Sequence, residues 1–424
     1  MITKSIDIAN GVKINYIETE NFKTNYISFN FITQRREDVS YLNTLFTRII
    51  QHASATYPTV AEMEKRLQYL YASTLSRRSI SNGKFHIFGI KSSILNDRYT
   101  EDTPVTQEVV NLMCDVLFNP IIENGAFSSK YTQDEKLELI DFIESEINNK
   151  GKYASNRCTE IMCENEIFSV KVSGTKEQVE KATPQMIFDA YKKALKEYRI
   201  EIYVVGKADV DKIASIFKPH FDKIERDLET IDEIELVNTV KQVKDVEEIQ
   251  DVAQGKLCMG FRTGRSFEDS NYYVMELFNE IFGASPTSKL FVNVRERKSL
   301  CYSCGSYIDH KNGIMRVSAG IEPANKQVAI DAILEQLECM KEGKISDEEL
   351  ESARKSLRNV YLSVNDSVYS MESWVLNRSL SSNYVTPTEE AERLFSITKE
   401  EIAEYARGIQ LDTIYFLKGG EANA

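Results

Sequence analysis

Arg295 and Tyr302 are the residues whose types and spacing first suggest chemistry. They stand seven positions apart in Leu290-Phe291-Val292-Asn293-Val294-Arg295-Glu296-Arg297-Lys298-Ser299-Leu300-Cys301-Tyr302-Ser303. This run passes from an apolar helical start through a charged cluster into an apolar strand-like stretch. Arginine is a permanent cation with a five-donor fork, and a phenol donates one directed hydrogen bond. Across a helix-to-strand turn the two could hold a peptide carbonyl or a carboxylate. Against that stands the plainer assignment of a surface arginine and a half-buried strand tyrosine.

Other reactive residues are sparse. Seven cysteines, odd in number and scattered, point to reduced thiols rather than a disulfide framework. Cys301-Tyr302-Ser303-Cys304 is formally a C-x-x-C pair, but it lies in a strand pattern with no second pair beside it. The four histidines, His52, His86, His220 and His310, are far apart in sequence. Four residues either side of His52 stand Arg48 and Thr56, so no second metal ligand shares its helix face. His86 follows Gly83 in a hairpin and reads as a strand residue.

The chain has 424 residues, 42% hydrophobic and 28% charged, which suggests a globular protein of two to four units. A formal net charge of −13 argues against a nucleic-acid partner. The first residues carry no apolar core of signal-peptide length, and no run reaches the length of a membrane span. The expected location is the cytoplasm, with no membrane partner.

Hydrophobic periodicity gives the elements that must position these residues. Val12, Ile14 and Tyr16 alternate, then Ile27, Phe29 and Phe31, giving two strands over 12–34. Leu42, Leu45, Phe46, Ile49 and Ile50 mark a helix over 40–51. Thr59 and Glu62 form a capping box for the next helix. Asn82-Gly83 marks a hairpin. Helices are expected over 105–118 and 132–150, the second with Leu137, Ile140, Ile143 and Ile147 recurring. A helix then starts at Thr183-Pro184, a strand covers 200–206, and a helix follows near 210–217.

The second half repeats this order. Leu257, Met259 and Phe261 fall 230 residues after Ile27, Phe29 and Phe31, and Asn312-Gly313 falls 230 after Asn82-Gly83. The run 397–400 matches 182–184 at an offset of 215, and 414–417 matches 202–205 at 212. This is an internal duplication. It predicts an α+β fold of two tandem homologous domains, 1–225 and 251–424, joined by a charged linker over 226–250. Each domain is expected to be a mostly antiparallel sheet with helices on one face.

Phe282-Gly283-Ala284-Ser285, Leu290-Phe291, Arg295-Glu296 and Leu300-Cys301-Tyr302-Ser303 resemble a C-terminal-domain signature of the pitrilysin/insulinase (M16) zinc peptidases. The resemblance covers nearly the whole chain and implies a half-clamshell, in which an Arg and a Tyr at this spacing reach the substrate at a zinc site. Active members carry H-x-x-E-H on the first helix of the first domain, with a downstream Glu as third ligand. Ala53-Ser54-Ala55-Thr56-Tyr57-Pro58-Thr59 resembles the run that follows the motif, without its Gly. Counting back places the motif at Thr44-Leu45-Phe46-Thr47-Arg48. Thr44 and Arg48 stand where the histidines belong and Thr47 where the Glu belongs. An arginine cannot coordinate, and a threonine is no base near neutral pH. The helix over 134–148 holds Glu135, Glu138, Glu144 and Glu146, roughly where the third ligand would come from. Without histidine partners these four read as a solvated face.

The resemblance therefore implies a non-catalytic subunit with no cofactor of its own. It would pair with a zinc-bearing M16 homologue, and Arg295 and Tyr302 would grip the peptide substrate. A homodimer is the alternative assembly for the chain alone. A non-proteolytic scaffold that captures peptides or proteins by edge-strand addition is the second reading. An enzyme using Cys or Ser is the third. The first two both predict that the purified chain holds no stoichiometric zinc after dialysis; metal analysis finding about one zinc per chain would reject the loss of the motif as the explanation.

Overall fold

The structure is a computed structural model, and it describes residues 1–101, 103–266, 272–381 and 385–420. In chain order the elements are β1 (Lys4–Ala9), β2 (Val12–Glu18), β3 (Thr24–Gln34), α1 (Ser40–His52), α2 (Val60–Tyr69), β4 (Ser76–Asn82), β5 (Phe85–Leu95), α3 (Val105–Phe118), the short pair β6 (Ile122–Glu123) and β7 (Ala126–Phe127), α4 (Ser129–Ser145), α5 (Lys150–Met162), α6 (Lys176–Lys181), α7 (Pro184–Glu197), β8 (Arg199–Gly206) and α8 (Val210–Phe221). Then come β9 (Lys244–Ile249), β10 (Gly255–Arg262), α9 (Tyr273–Asn279), β11 (Cys301–Asp309), β12 (Ile314–Ile321), α10 (Lys326–Lys341), α11 (Asp347–Leu362), α12 (Val368–Ser379), α13 (Pro387–Arg393), α14 (Lys399–Arg407) and β13 (Gln410–Lys418). Glu280–Ala284 and Leu290–Arg297, between α9 and β11, are wound in wide π turns.

Local chemistry sets many of these boundaries. Thr59 and Glu62 form the expected capping box of α2, and Thr398 with Glu401 does the same for α14. Pro184 occupies the first turn of α7, where its missing N–H costs nothing. The stretch expected as linker, 226–250, contributes β9, whose alternating half-buried and exposed residues suit a sheet edge.

The chain divides into two compact units. The first takes Met1–Glu144, Val170–Glu233 and Asn365–Leu380, and the second takes Ser145–Ser169, Ile234–Val364 and Ser381–Ala424. Neither is one continuous piece. Helix α5, absent from the elements read in the sequence, belongs to the second unit, and α12 belongs to the first. The contiguous spans 1–225 and 251–424 therefore do not coincide with the units.

The two sheets share one topology. The first unit's order is β1-β2-β8-β3-β5-β4, and the second unit's is β9-β13-β10-β12-β11 read from the same side. In both, the strand pair β2/β8 or β9/β13 is parallel and the remaining matching pairs are antiparallel. Phe29 faces Ile202 in the first sheet, and Met259 faces Ile414 in the second, which reproduces the sequence offsets of 230 and 212. The two Asn-Gly turns close corresponding hairpins in different ways. Asn82 pairs with Phe85 across a two-residue turn, whereas Asp309 pairs with Ile314 across four residues ending in Asn312-Gly313. Gly83 and Gly313 both have positive φ, 57° and 61°.

The expectation of helices on one face needs correction. One face of the first sheet packs Phe29, Phe31, Phe88 and Ile202 against α1, α3, α7 and α8. The other packs Tyr26, Ile32, Ile87 and Tyr203 against Val375 and Leu376 of α12. The residues alternating with the apolar ones in β3 are polar but buried. Ser28 Oγ donates to Glu372 Oε1 of α12 at 2.8 Å, and Asn30 Nδ2 donates to Ser28 Oγ at 2.9 Å. Arg78 of β4 clasps both Glu372 oxygens at 2.6 and 2.8 Å. In the second unit, Arg262 of β10 clasps Glu166, just beyond α5, at 2.9 and 2.6 Å and reaches Asp412 at 2.9 Å. Gly260 lets α5 come close: a Cβ there would lie 2.8 Å from Met162 Sδ.

Removing one member of a buried ion pair strands the other. Glu372→Ala is expected to cost about 3–5 kcal/mol, read as a lowered urea midpoint. Hydrogen exchange over Val368–Ser379 should rise in the variant before the rest of the first unit loosens.

Candidate functional site

Helix α1 carries Thr44, Thr47 and Arg48, the positions expected to be a degenerate metal motif, and each has its own partner. Thr44 Oγ1 donates to the Val172 carbonyl at 2.7 Å and lies 2.7 Å from Ser79 Oγ of β4. Thr44's one proton is thus spent, so Ser79 donates to it, and His86 Nε2, 2.9 Å from Ser79, must donate in turn. His86 is fully buried on β5. Burial, with the Arg35 charge nearby, pushes its pKa down to about 3, so the ring is neutral. Thr47 is fully buried and donates to the Asn43 carbonyl one turn back at 2.6 Å.

Arg48 is the third position, and its side chain is only 8% exposed. Its Nε donates to Glu135 Oε2 at 2.8 Å. His52, one turn further along α1, places Nε2 3.0 Å from Glu135 Oε1. Glu135 is therefore not part of a solvated face but is 6% exposed and engaged on both oxygens. Burial alone would raise its pKa. The His52 hydrogen bond and the Arg48 charge outweigh burial and hold it below the usual carboxylate range. The inner side of α4 carries this carboxylate together with Thr132, Leu139, Ile140 and Ile143. Leu139 is buried, while Leu137 and Ile147, expected on the apolar stripe, are 52% and 38% exposed. Glu138 and Glu144 do face solvent, and Glu144 pairs with Lys176 at 2.5 Å. The signal in the sequence was Arg48 itself: a cation among Leu45, Phe46, Ile49 and Ile50 must find a buried anion. Among the described residues, no group of three or more His, Cys, Asp or Glu side chains is arranged to hold a metal ion.

The second unit brings Arg295 and Tyr302 together. The wide turns of Leu290–Arg297 end with Lys298 N–H donating to the Asn293 carbonyl at 3.2 Å, and Ser299 then takes a positive φ of 52°. That reversal carries the chain back, so Arg295 Nε donates to the Tyr302 backbone carbonyl at 3.0 Å. The guanidinium stacks 4.4 Å over the Phe291 ring. Its Nη donors have no protein acceptor among the described residues. A register shift between Cys301 and Ser303 bulges the strand at Tyr302. Tyr302 is 67% exposed, with its hydroxyl 3.3 Å from Glu322 Oε1. Cys301 and Cys304 are both buried on this strand, and every cysteine of the chain is a free thiol.

A family profile described as "Peptidase M16 inactive domain" matches residues 181–357. The chain is 30% identical over 412 residues to the "Probable inactive metalloprotease YmfF" of Bacillus subtilis (strain 168), covering 97% of this chain and 96% of that protein. It superimposes on the crystal structure of a conserved protein from Enterococcus faecalis V583 with a TM-score of 0.90 and 30% identity, covering 99% of each chain. A peptidase M16 inactive domain from Pseudomonas fluorescens gives a TM-score of 0.75 at 12% identity, over 99% of this chain and 98% of that one.

The buried groups around α1 make the first unit acid-labile in two windows. His86 titrates near 3 when folded and near 6.5 when free, so the unfolded chain binds the extra proton between those values and stability falls as pH drops from about 6.5. Glu135 has a lowered folded pKa, so its contribution is present above about 4.3 and is lost only below that. Urea midpoints should decline from pH 7 towards 4.5, and His86→Gln should flatten that decline while leaving the drop below about 4.3 in place.

Proposed function

This chain belongs to the M16 peptidase family, and we propose that it acts there as a proteolytically inactive subunit that grips peptide for a zinc-bearing, H-x-x-E-H partner. The observation that carries the reading is the contrast between the two sets of residues. Thr44, Thr47 and Arg48 are closed off by internal partners. Arg295 is anchored through Nε alone, which leaves its Nη fork to a ligand, and the Tyr302 hydroxyl is exposed and makes one long 3.3 Å hydrogen bond to Glu322, which a substrate carbonyl would replace. The relative's description as a probable inactive metalloprotease supports the absence of proteolysis by the chain alone.

In the proposed pair the partner supplies zinc and the general base. Tyr302 donates to the scissile carbonyl oxygen as negative charge develops on it. Arg295 orients the substrate backbone or its terminal carboxylate. The reading places the pair in the cytoplasm, supported by the free thiols, with peptides as substrates. Among the described residues no helix is long and apolar enough to cross a membrane. A peptide-binding scaffold without proteolysis is the second reading, favoured by the open outer strands β4 and β11.

The test is peptide cleavage by the reconstituted pair. Tyr302→Phe removes one donor and little packing, so kcat should fall about 10²–10³-fold with little change in KM. Arg295→Ala should raise KM as well, since an orienting cation also acts on bound substrate. Both variants should co-elute with the partner. Wild-type kinetics in both would return these residues to plain surface and strand roles and put the scaffold reading first.

A further inference from the structure

Arg77 on β4 is a half-buried cation beside an ion-pair cluster in which every negative group is already committed or turned to solvent. It shares its strand face with Ser79, which bonds Thr44 of α1, and its Nη1 donates to Gln51 Oε1 of the same helix at 3.0 Å. That acceptor is a neutral amide. Among the described residues Arg77 makes no ion pair. Arg48 and Glu135 both act on it electrostatically, and burial together with the Arg48 charge pulls its pKa down. Glu135 acts on it only through space: its oxygens point to Arg48 and His52, and it makes no ion pair with Arg77. Glu138, one turn along α4, is exposed and makes no ion pair with Arg77.

A partly desolvated guanidinium with one neutral contact is unfavourable, and a planar fork is the side chain best matched to a carboxylate. Of the charges turned inward, Arg48 and the half-buried Arg77 stand against Glu135, an excess of one positive charge, with Glu138 acting on Arg77 from the solvent side. One carboxylate balances that excess. A phosphate dianion would overshoot it beside Glu135 and Glu138. Gln51 fixes one edge of the fork and leaves the remaining donors for a ligand. The strand is the outermost of its sheet, so one side of the cation's backbone is unpaired.

We propose that Arg77, steadied by Gln51 and set against the Arg48–Glu135 pair, is a carboxylate-binding site of the first unit that takes a peptide's terminal or side-chain carboxylate. The site lies wholly within this chain and requires no partner and no metal, so it stands or falls separately from the pairing proposed above.

The experiment uses the full chain alone at low ionic strength, titrated calorimetrically with three probes: N-acetyl-tetraalanine with a free carboxylate, the same peptide as its C-terminal amide, and the amide carrying one internal glutamate. A carboxylate-bearing probe should bind at least about tenfold more tightly than the plain amide, a difference of about 1.4 kcal/mol. Preference for the first or third probe identifies the terminal or the side-chain source. Arg77→Gln should erase the difference. Arg77→Lys keeps the charge without the planar fork and should retain the preference at several-fold weaker affinity. Equal binding of acid and amide overturns the proposal. So does an acid preference that survives Arg77→Gln, full affinity in Arg77→Lys, tighter binding of inorganic phosphate than of the acid, or no binding by any probe at about 10 mM.

Discussion

A buried carboxylate facing the polar side of a sheet has to be met by a fixed cation, and that constraint organises both units. In the first, Ser28, Asn30 and Arg78 line the second face of the sheet and need partners out of water; α12 brings Glu372, which is fully buried, into that face. In the second, Arg262 is 2% exposed and is satisfied by Glu166, Asp412 and the Met162 carbonyl. Arg316 adds hydrogen bonds to Ser155 and Thr159 of α5 at 3.0 and 3.2 Å. Such pairs add little net stability over apolar packing, but they are costly to break from one side. They specify which helix covers which sheet, since a helix without the matching acid would leave an arginine unpaired.

The same rule explains what stands at the degenerate motif. A carboxylate buried on α4 requires positive charge, which a bound cation can supply and a guanidinium can supply equally. Arg48 holds Glu135 with no dissociable component, and His52 takes the second oxygen. Thr47, where the resemblance would put the catalytic Glu, turns its hydroxyl back to its own helix. Thr44, Thr47 and Arg48 thus find their partners within the unit.

What the sequence showed and what it hid divide along the distance of the interactions. Capping boxes, Pro184 at a helix start, the alternation of β3 and the Asn-Gly turns depend on neighbours a few residues apart, and they were legible. The offset of 230 was legible too, because β3 and β10 keep the same partners in β8 and β13. Yet Phe29 faces Ile90 while Met259 faces Val317, a shift of 227, so three residues have moved out of the second hairpin's register. The placement of α5 and α12 was not legible, since it rests on pairs such as Arg78–Glu372, 294 residues apart. Nor was the inward turn of Glu135: of Leu137, Ile140, Ile143 and Ile147 only Ile140 and Ile143 pack on the core, where Leu139 and the Glu135–Arg48 pair, 87 residues apart in sequence, share the inner face of α4. For the candidate site, the adjacency of Arg295 and Tyr302 followed from their spacing, whereas the anchoring of Arg295 to a backbone carbonyl depended on the positive φ of Ser299.

An arginine where the resemblance would put a metal ligand bears on more than catalysis. A structural or catalytic metal ties folding to metal supply, because its binding free energy is drawn on by the folded state alone. Arg48 is part of the chain, always charged, and present from the moment α1 meets α4, so the pairing of Glu135 with Arg48 itself needs no metal. What remains sensitive is proton uptake, because His86 must stay neutral and Glu135 ionised behind the motif. Arg295 and Tyr302 are under no comparable internal demand. One is held by a single backbone acceptor and the other is largely exposed, so substitution there changes little in the fold. The positive φ of Ser299 and the bulge at Tyr302 fix the pair in a local geometry for which the proposed ligand-binding role would account.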